Sequence, residues 1–104
     1  MFIHLTNDAI QKNSEKYGKY EPANKLSYTE FQRYLDNNFS KRQINFKEHI
    51  LIKMKEIATD VIKANYLNLD KARKMNNFEI FGLDFMIDSK FRPWLIEINA
   101  NPCL

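Results

Sequence analysis

Three consecutive pieces decide the fold: Phe78-Glu79-Ile80-Phe81-Gly82-Leu83-Asp84-Phe85-Met86-Ile87, then Asp88-Ser89-Lys90-Phe91-Arg92-Pro93, then Trp94-Leu95-Ile96-Glu97-Ile98-Asn99. The outer two are rich in aromatic and β-branched residues and read as strands, because such side chains fit a pleated, half-buried surface. The middle piece carries Asp, Ser and Pro, which favour turns through local hydrogen bonds or a restricted φ. Two strands joined by so short a turn predict an antiparallel β-hairpin.

Within that hairpin Asp84, Glu97 and Asn99 need a reason. Aspartate is depleted in strands, and Asp84 interrupts an apolar run. Side chains alternate across a strand, so Glu97 and Asn99 are expected on one face, together with Leu95. With the turn centred between Lys90 and Phe91, the register sets Asp84 opposite Glu97 and Met86 opposite Leu95. Opposed carboxylates repel, and the cost grows with burial unless a cation or a proton offsets it. Oxygens of Asp, Glu and Asn suit a hard cation, magnesium above all. The same residues are equally compatible with lysine or arginine pairs at a sheet edge, or with a bulge at Asp84 beside Gly82. A slip of one residue would part the two carboxylates onto opposite faces.

Upstream the period of the apolar residues becomes helical. Ser27-Tyr28-Thr29-Glu30 has the form of a capping box, and Phe31, Tyr34, Leu35 and Phe39 follow at helical spacing. A helix over about Tyr28 to Asn38 is expected. Asn45-x-x-Glu48 repeats the start signal before Ile50, Leu51, Met54, Ile57, Ala58, Val61 and Ile62, one apolar face sustained over four turns. The second helix is expected over roughly Phe46 to Asn65. Phe2-Ile3-His4-Leu5 reads as a short strand, Gln11 to Lys25 as a polar loop, and Lys71-Ala72-Arg73-Lys74 as a basic linker.

Composition narrows the class. In 104 residues, 44% hydrophobic and 13% aromatic, there is enough apolar surface for one packed domain and too much for disorder. The net charge of +3 is too mild to call for a nucleic acid. A single cysteine, Cys103, forbids an intrachain disulfide, and two histidines beside it lack zinc-ligand spacing. Residues 1–7 show no basic segment followed by an apolar one, and no apolar run reaches the ~20 residues of a membrane span. A soluble, cytoplasmic, monomeric protein without a membrane or nucleic-acid partner is the expectation.

The hairpin residues through Asn99, followed by Ala100-Asn101-Pro102-Cys103-Leu104, resemble the closing motifs of the tubulin tyrosine ligase-like family. His4-Leu5-Thr6-Asn7, Ile10-Gln11-Lys12 and Tyr17-Gly18 are similar to that family's upstream motif. The blocks stand in the family's order, and the resemblance covers nearly the whole chain. It implies an α/β (α+β) fold, the C-terminal portion of an ATP-grasp domain, with helices packed on a small antiparallel sheet ending in the hairpin. Residues 1–104 would then be a single partial domain.

The resemblance also implies chemistry. Asp84, Glu97 and Asn99 take the positions that hold magnesium, and Thr6 and Asn7 those that contact ATP. Asp8 and Ala9 fall beside the pocket of the amino acid to be added, where glutamate-adding members typically carry Tyr-Ser. Lys12 could add positive charge near an anion, or serve only solubility. The implied reaction joins a free amino acid to a carboxylate of tubulin through an acyl phosphate, by tyrosination, glycylation or glutamylation, at the cytoskeleton or cilium. Lys41-Arg42 and the Lys71–Lys74 stretch could face tubulin's acidic tail, or simply be solvated. With Gly18 and Gly82 as its only glycines, the chain has no glycine-rich phosphate loop. It reads as the metal end of a longer enzyme's site, or as an inactive copy that binds tubulin or another acidic partner.

Overall fold

The structure, a computed structural model, describes residues 8–19, 25–69, 71, 78–100 and 102, with Asp8 and Ala9 described by their backbone alone. The expected strand at Phe2–Leu5 lies outside the described residues. The chain divides between Ile44 and Asn45 into two compact units.

In the first unit, α1 is a single turn, Asp8–Gln11, and α2 spans Tyr28–Asn38. The polar stretch after α1 runs as successive turns closed by bonds such as Ser14 N–H to Gln11 O (2.9 Å) and Tyr17 N–H to Ser14 O (3.0 Å). The capping box is complete. Ser27 Oγ accepts from the Glu30 amide (3.2 Å), and Glu30 Oε2 accepts from the Ser27 amide (2.8 Å), so two otherwise unsatisfied amides gain partners. Leu35 is the buried residue of α2. Phe31 stacks on Tyr34, whose ring meets Phe39 edge-on. A 3₁₀ turn over Ser40–Arg42 follows and ends at Gln43 in the left-handed region (φ 47°).

The second unit opens on a π-helical turn, Phe46–Ile50, that runs directly into α3, Leu51–Leu69. The start signal at Asn45 works only in part as expected. Asn45 Oδ1 does accept from the Glu48 amide (3.1 Å), but the Asn45 amide donates to Nδ1 of His49 (2.9 Å), not to the Glu48 carboxylate. The wider π turn brings residue 49 within reach of the cap. Phe46 and Ile50 form the buried centre of this unit, and the helix runs four residues beyond Asn65.

Gly82–Ile87 (β1) and Pro93–Asn99 (β2) make the predicted antiparallel hairpin, and α3 lies against β2. The first strand is shorter than expected, because Phe78–Phe81 are not paired. Beyond Asn99 the chain bends at Ala100, and Pro102, which has no amide hydrogen to donate, packs at Gly82. No described strand therefore remains to pair with residues before Gly82.

Candidate metal centre

The hairpin turn is built by Asp88. Its amide donates to Arg92 O (3.0 Å), and its carbonyl accepts from the Phe91 amide (2.9 Å), which closes a three-residue loop over Ser89, Lys90 and Phe91. Such a loop places its last residue in the left-handed region, and Phe91 has φ 61°. The side chain reinforces this. Asp88 Oδ1 accepts from the amides of Lys90 and Arg92, both at 2.9 Å. Asp88 Oδ2 accepts from Arg92 Nε (2.8 Å) and Trp94 Nε1 (3.1 Å) and pairs with Arg92 Nη2 (2.8 Å). The Arg92 guanidinium also lies over the Trp94 ring, 5.5 Å from its centre. The Arg92 amide, with help from the Trp94 and Arg92 side chains and the Lys90 amide, holds the Asp88 carboxyl far below the ordinary carboxylate range.

That loop is centred on Lys90, so the expectation of a centre between Lys90 and Phe91 is corrected. Next to the turn the pairs are Ile87 with Pro93, Met86 with Trp94 and Phe85 with Leu95. Met86 therefore does not oppose Leu95. A bulge then intervenes: Asp84 opposes Glu97, and Ile96 is left without a partner. Beyond it Leu83 pairs with Ile98 and Gly82 with Asn99. Asp84 thus meets Glu97 as expected, by a different route.

The bulge also sorts the side chains. Paired residues share a face, so Leu83, Phe85, Ile87, Pro93, Leu95 and Ile98 fall on one side and Gly82, Asp84, Met86, Trp94, Glu97 and Asn99 on the other. Leu95 is thereby moved off the face of Glu97 and Asn99, where strict alternation had put it. The apolar side borders a hollow shared with α3, lined by Val61, Leu69, Leu83 and Ile98 among others. The polar side carries the two carboxylates and the amide.

On that polar face Asn99 Nδ2 donates to Asp84 Oδ2 at 3.3 Å. Gly82 makes room for the Asn99 end of the site: a Cβ there would stand 3.0 Å from Pro102 Cβ and 3.8 Å from Asn99 Cβ. Among the described residues neither Asp84 nor Glu97 meets a lysine or arginine. No group of three or more His, Cys, Asp and Glu stands together among the described residues; the polar face of the hairpin offers two carboxylates and one amide. That set fits a hard cation that takes its other ligands from water or phosphate. To join it, Asn99 would turn its amide so that Oδ1 replaces Nδ2.

Thr6 and Asn7 lie outside the described residues. Asp8 and Ala9 begin α1, and Lys12 lies on the exposed turn after it, all in the first unit. Lys41 and Arg42 are exposed on the 3₁₀ turn, Lys71 is exposed, and Ala72–Lys74 lie outside the described residues. Sequence reasoning treated Asp88 only as turn chemistry and did not anticipate its clamp. A signal was present, since an aspartate with an arginine four residues on, across a three-residue loop, can use both carboxylate oxygens.

The whole chain, residues 1–104, matches the model of the tubulin-tyrosine ligase family. It belongs to that family. Tubulin glycylase 3B of Tetrahymena thermophila is 38% identical over 104 residues, covering 99% of this chain. Tubulin glycylase 3A of Drosophila melanogaster is 39% identical over 109 residues, covering 98%. The probable alpha-tubulin polyglutamylase Ttll1 of Tetrahymena thermophila is 35% identical over 109 residues, covering 100%. The chain spans only 8%, 10% and 24% of the lengths of these three relatives. As a tubulin-tyrosine ligase family chain it carries the α+β elements described above, and none of its described helices is long and apolar enough to cross a membrane.

Proposed function

We propose that this chain supplies the magnesium end of the ATP site in a ligase that joins an amino acid to a carboxylate of tubulin. The observation that carries the reading is Asp84 opposed to Glu97 on one hairpin face with Asn99 beside them, and no lysine or arginine partner among the described residues. Family membership, and relatives named as tubulin glycylases and a polyglutamylase, support the reaction class. Within this reading residues 1–104 are the C-terminal part of an ATP-grasp domain, and the protein works at the cytoskeleton.

The reaction is ligation with ATP as co-substrate. A tubulin carboxylate oxygen bonds to the γ-phosphorus as the bond to ADP breaks, giving an acyl phosphate. The amine of the free amino acid then forms the amide, inorganic phosphate leaves, and the amine's proton passes to water. Magnesium held by Asp84, Glu97 and Asn99 would supply neutralisation of the phosphate charge. The chain's own contribution is positional. Asp84 and Glu97 present two negative charges from paired backbone positions, and Gly82 admits Pro102 beside Asn99. Thr6 and Asn7 are assigned to the nucleotide, and Asp8, Ala9 and Lys12 to the side of the incoming amino acid.

Magnesium-dependent ATP binding by the intact protein tests this, with Glu97→Gln beside it. The variant is expected to need at least ~10-fold more magnesium for half-maximal binding. Its metal-free hairpin should be no less stable, because a like-charge pair has been removed. An unchanged magnesium requirement would sink the ligand assignment.

A further inference from the structure

Asp88 stands on the same face of the hairpin as Asp84, Glu97 and Asn99, yet it cannot share their ion. It is four residues along the strand from Asp84, which at ~3.3 Å per residue is about 13 Å. Both of its oxygens are already occupied by N–H donors from Lys90, Arg92 and Trp94. Its influence on the site has to travel through the ladder.

The register makes that route explicit. The clamped loop dictates pairs of the type Phe85 with Leu95, and continued without interruption this pattern would set Asp84 against Ile96 and Glu97 against Leu83. Glu97 would then share the apolar face that borders α3, away from Asp84. The bulge at Ile96 moves the pairing by one residue and returns Glu97 to Asp84. Loop and bulge together decide which side Glu97 takes, and a change at the loop re-aims every side chain beyond it. A loop that depends on a phenylalanine in the left-handed region is not the form the backbone would choose unaided. The carboxylate of Asp88 ties it down from both sides.

We propose that Asp88 is a positioning residue for the cation site: by clamping the Ser89–Phe91 loop and anchoring Arg92 and Trp94, it fixes the register from which the bulge at Ile96 brings Glu97 opposite Asp84. This rests on the magnesium reading given above. Each oxygen has its own task. Oδ1 forms the loop, and Oδ2 holds the Arg92 and Trp94 side chains of the returning strand.

Two variants separate these tasks. In Asp88→Asn the amide oxygen can still accept from the Lys90 and Arg92 amides, while its NH₂ faces donors and repels them. Asp88→Ala loses both. In the intact protein, magnesium titrations of ATP binding should show the half-maximal magnesium concentration raised ~10-fold in Asp88→Ala, the lower end of the range for residues that orient metal ligands, and by a smaller factor, ~3-fold, in Asp88→Asn, which keeps the loop-forming oxygen. At saturating magnesium, ATP affinity should return to the wild-type value. Hydrogen exchange in the metal-free protein should be faster across 82–99 in both variants. A merely structural role would lower the amount of competent protein without moving the midpoint, and an unmoved midpoint in Asp88→Asn overturns the proposal even if Asp88→Ala fails to fold. Glu97→Gln, run in parallel, tells the two claims apart. If it shifts the midpoint and Asp88→Asn does not, the positioning role alone fails; if it leaves the midpoint in place, the ion site itself fails.

Discussion

A methyl group added at Gly82 would meet Cβ of Pro102 at 3.0 Å and Cβ of Asn99 at 3.8 Å. A proline ring cannot swing aside as a flexible chain end could, so Gly82→Ala should push Pro102 off the strand and disturb Asn99. Overpacking of this kind costs about 1–3 kcal/mol. We expect a lower melting temperature together with a raised magnesium requirement for ATP binding. Asp88 gives a second test at this scale. Its carboxyl is held far below the ordinary range, first by the Arg92 amide. A depressed folded pKa means that the clamp contributes stability fully above the unfolded value of about 3.9 and loses it as pH falls below that value toward the folded one. A carboxyl NMR titration should therefore place the Asp88 midpoint well below 3.9, and a midpoint at 3.9 would show that the clamp is absent in solution. Asp84 and Glu97 were legible in the sequence, because carboxylates in an apolar strand pair demand a reason. Asp88 was not, because an aspartate in a turn is unremarkable until both its oxygens are seen to be engaged.

At the scale of elements, local rules carried far. The capping box at Ser27 and Glu30 and the spacing of Phe31, Leu35 and Phe39 marked α2 at the bounds it has, Tyr28–Asn38. Ser27→Ala removes the oxygen that accepts from the Glu30 amide, a loss of about 1 kcal/mol for an N-cap. Hydrogen exchange at the first amides of α2 should speed up accordingly, roughly 5-fold, while α3 is unaffected. The π-helical start of the second helix escaped the sequence reading. Asn45 caps either kind of turn, and only the backbone conformation brought His49 rather than Glu48 to its amide. The early end of β1 also escaped, since Phe78–Phe81 have good strand character but no described strand to pair with.

For the molecule as a whole, the chain is a small share of its relatives' length, and the proposed activity belongs to the intact protein. A ligand that binds only the folded state raises its apparent stability. ATP should therefore raise the melting temperature of the intact protein in magnesium, and chelation with EDTA should abolish that rise without lowering the melting temperature of the nucleotide-free protein. A rise that survives chelation would argue against the site at Asp84, Glu97 and Asn99. From sequence came the two long helices, the hairpin and the family, because capping residues, apolar periodicity and turn chemistry act over a few neighbouring residues. The pairing of Asp84 with Glu97 was anticipated from the wrong turn centre. Its actual cause, a Lys90-centred loop corrected by a bulge at Ile96, is a property of the ladder. Which face a strand residue takes depends on every pairing between it and the turn, and a one-residue bulge reverses that choice without leaving a mark on local propensity.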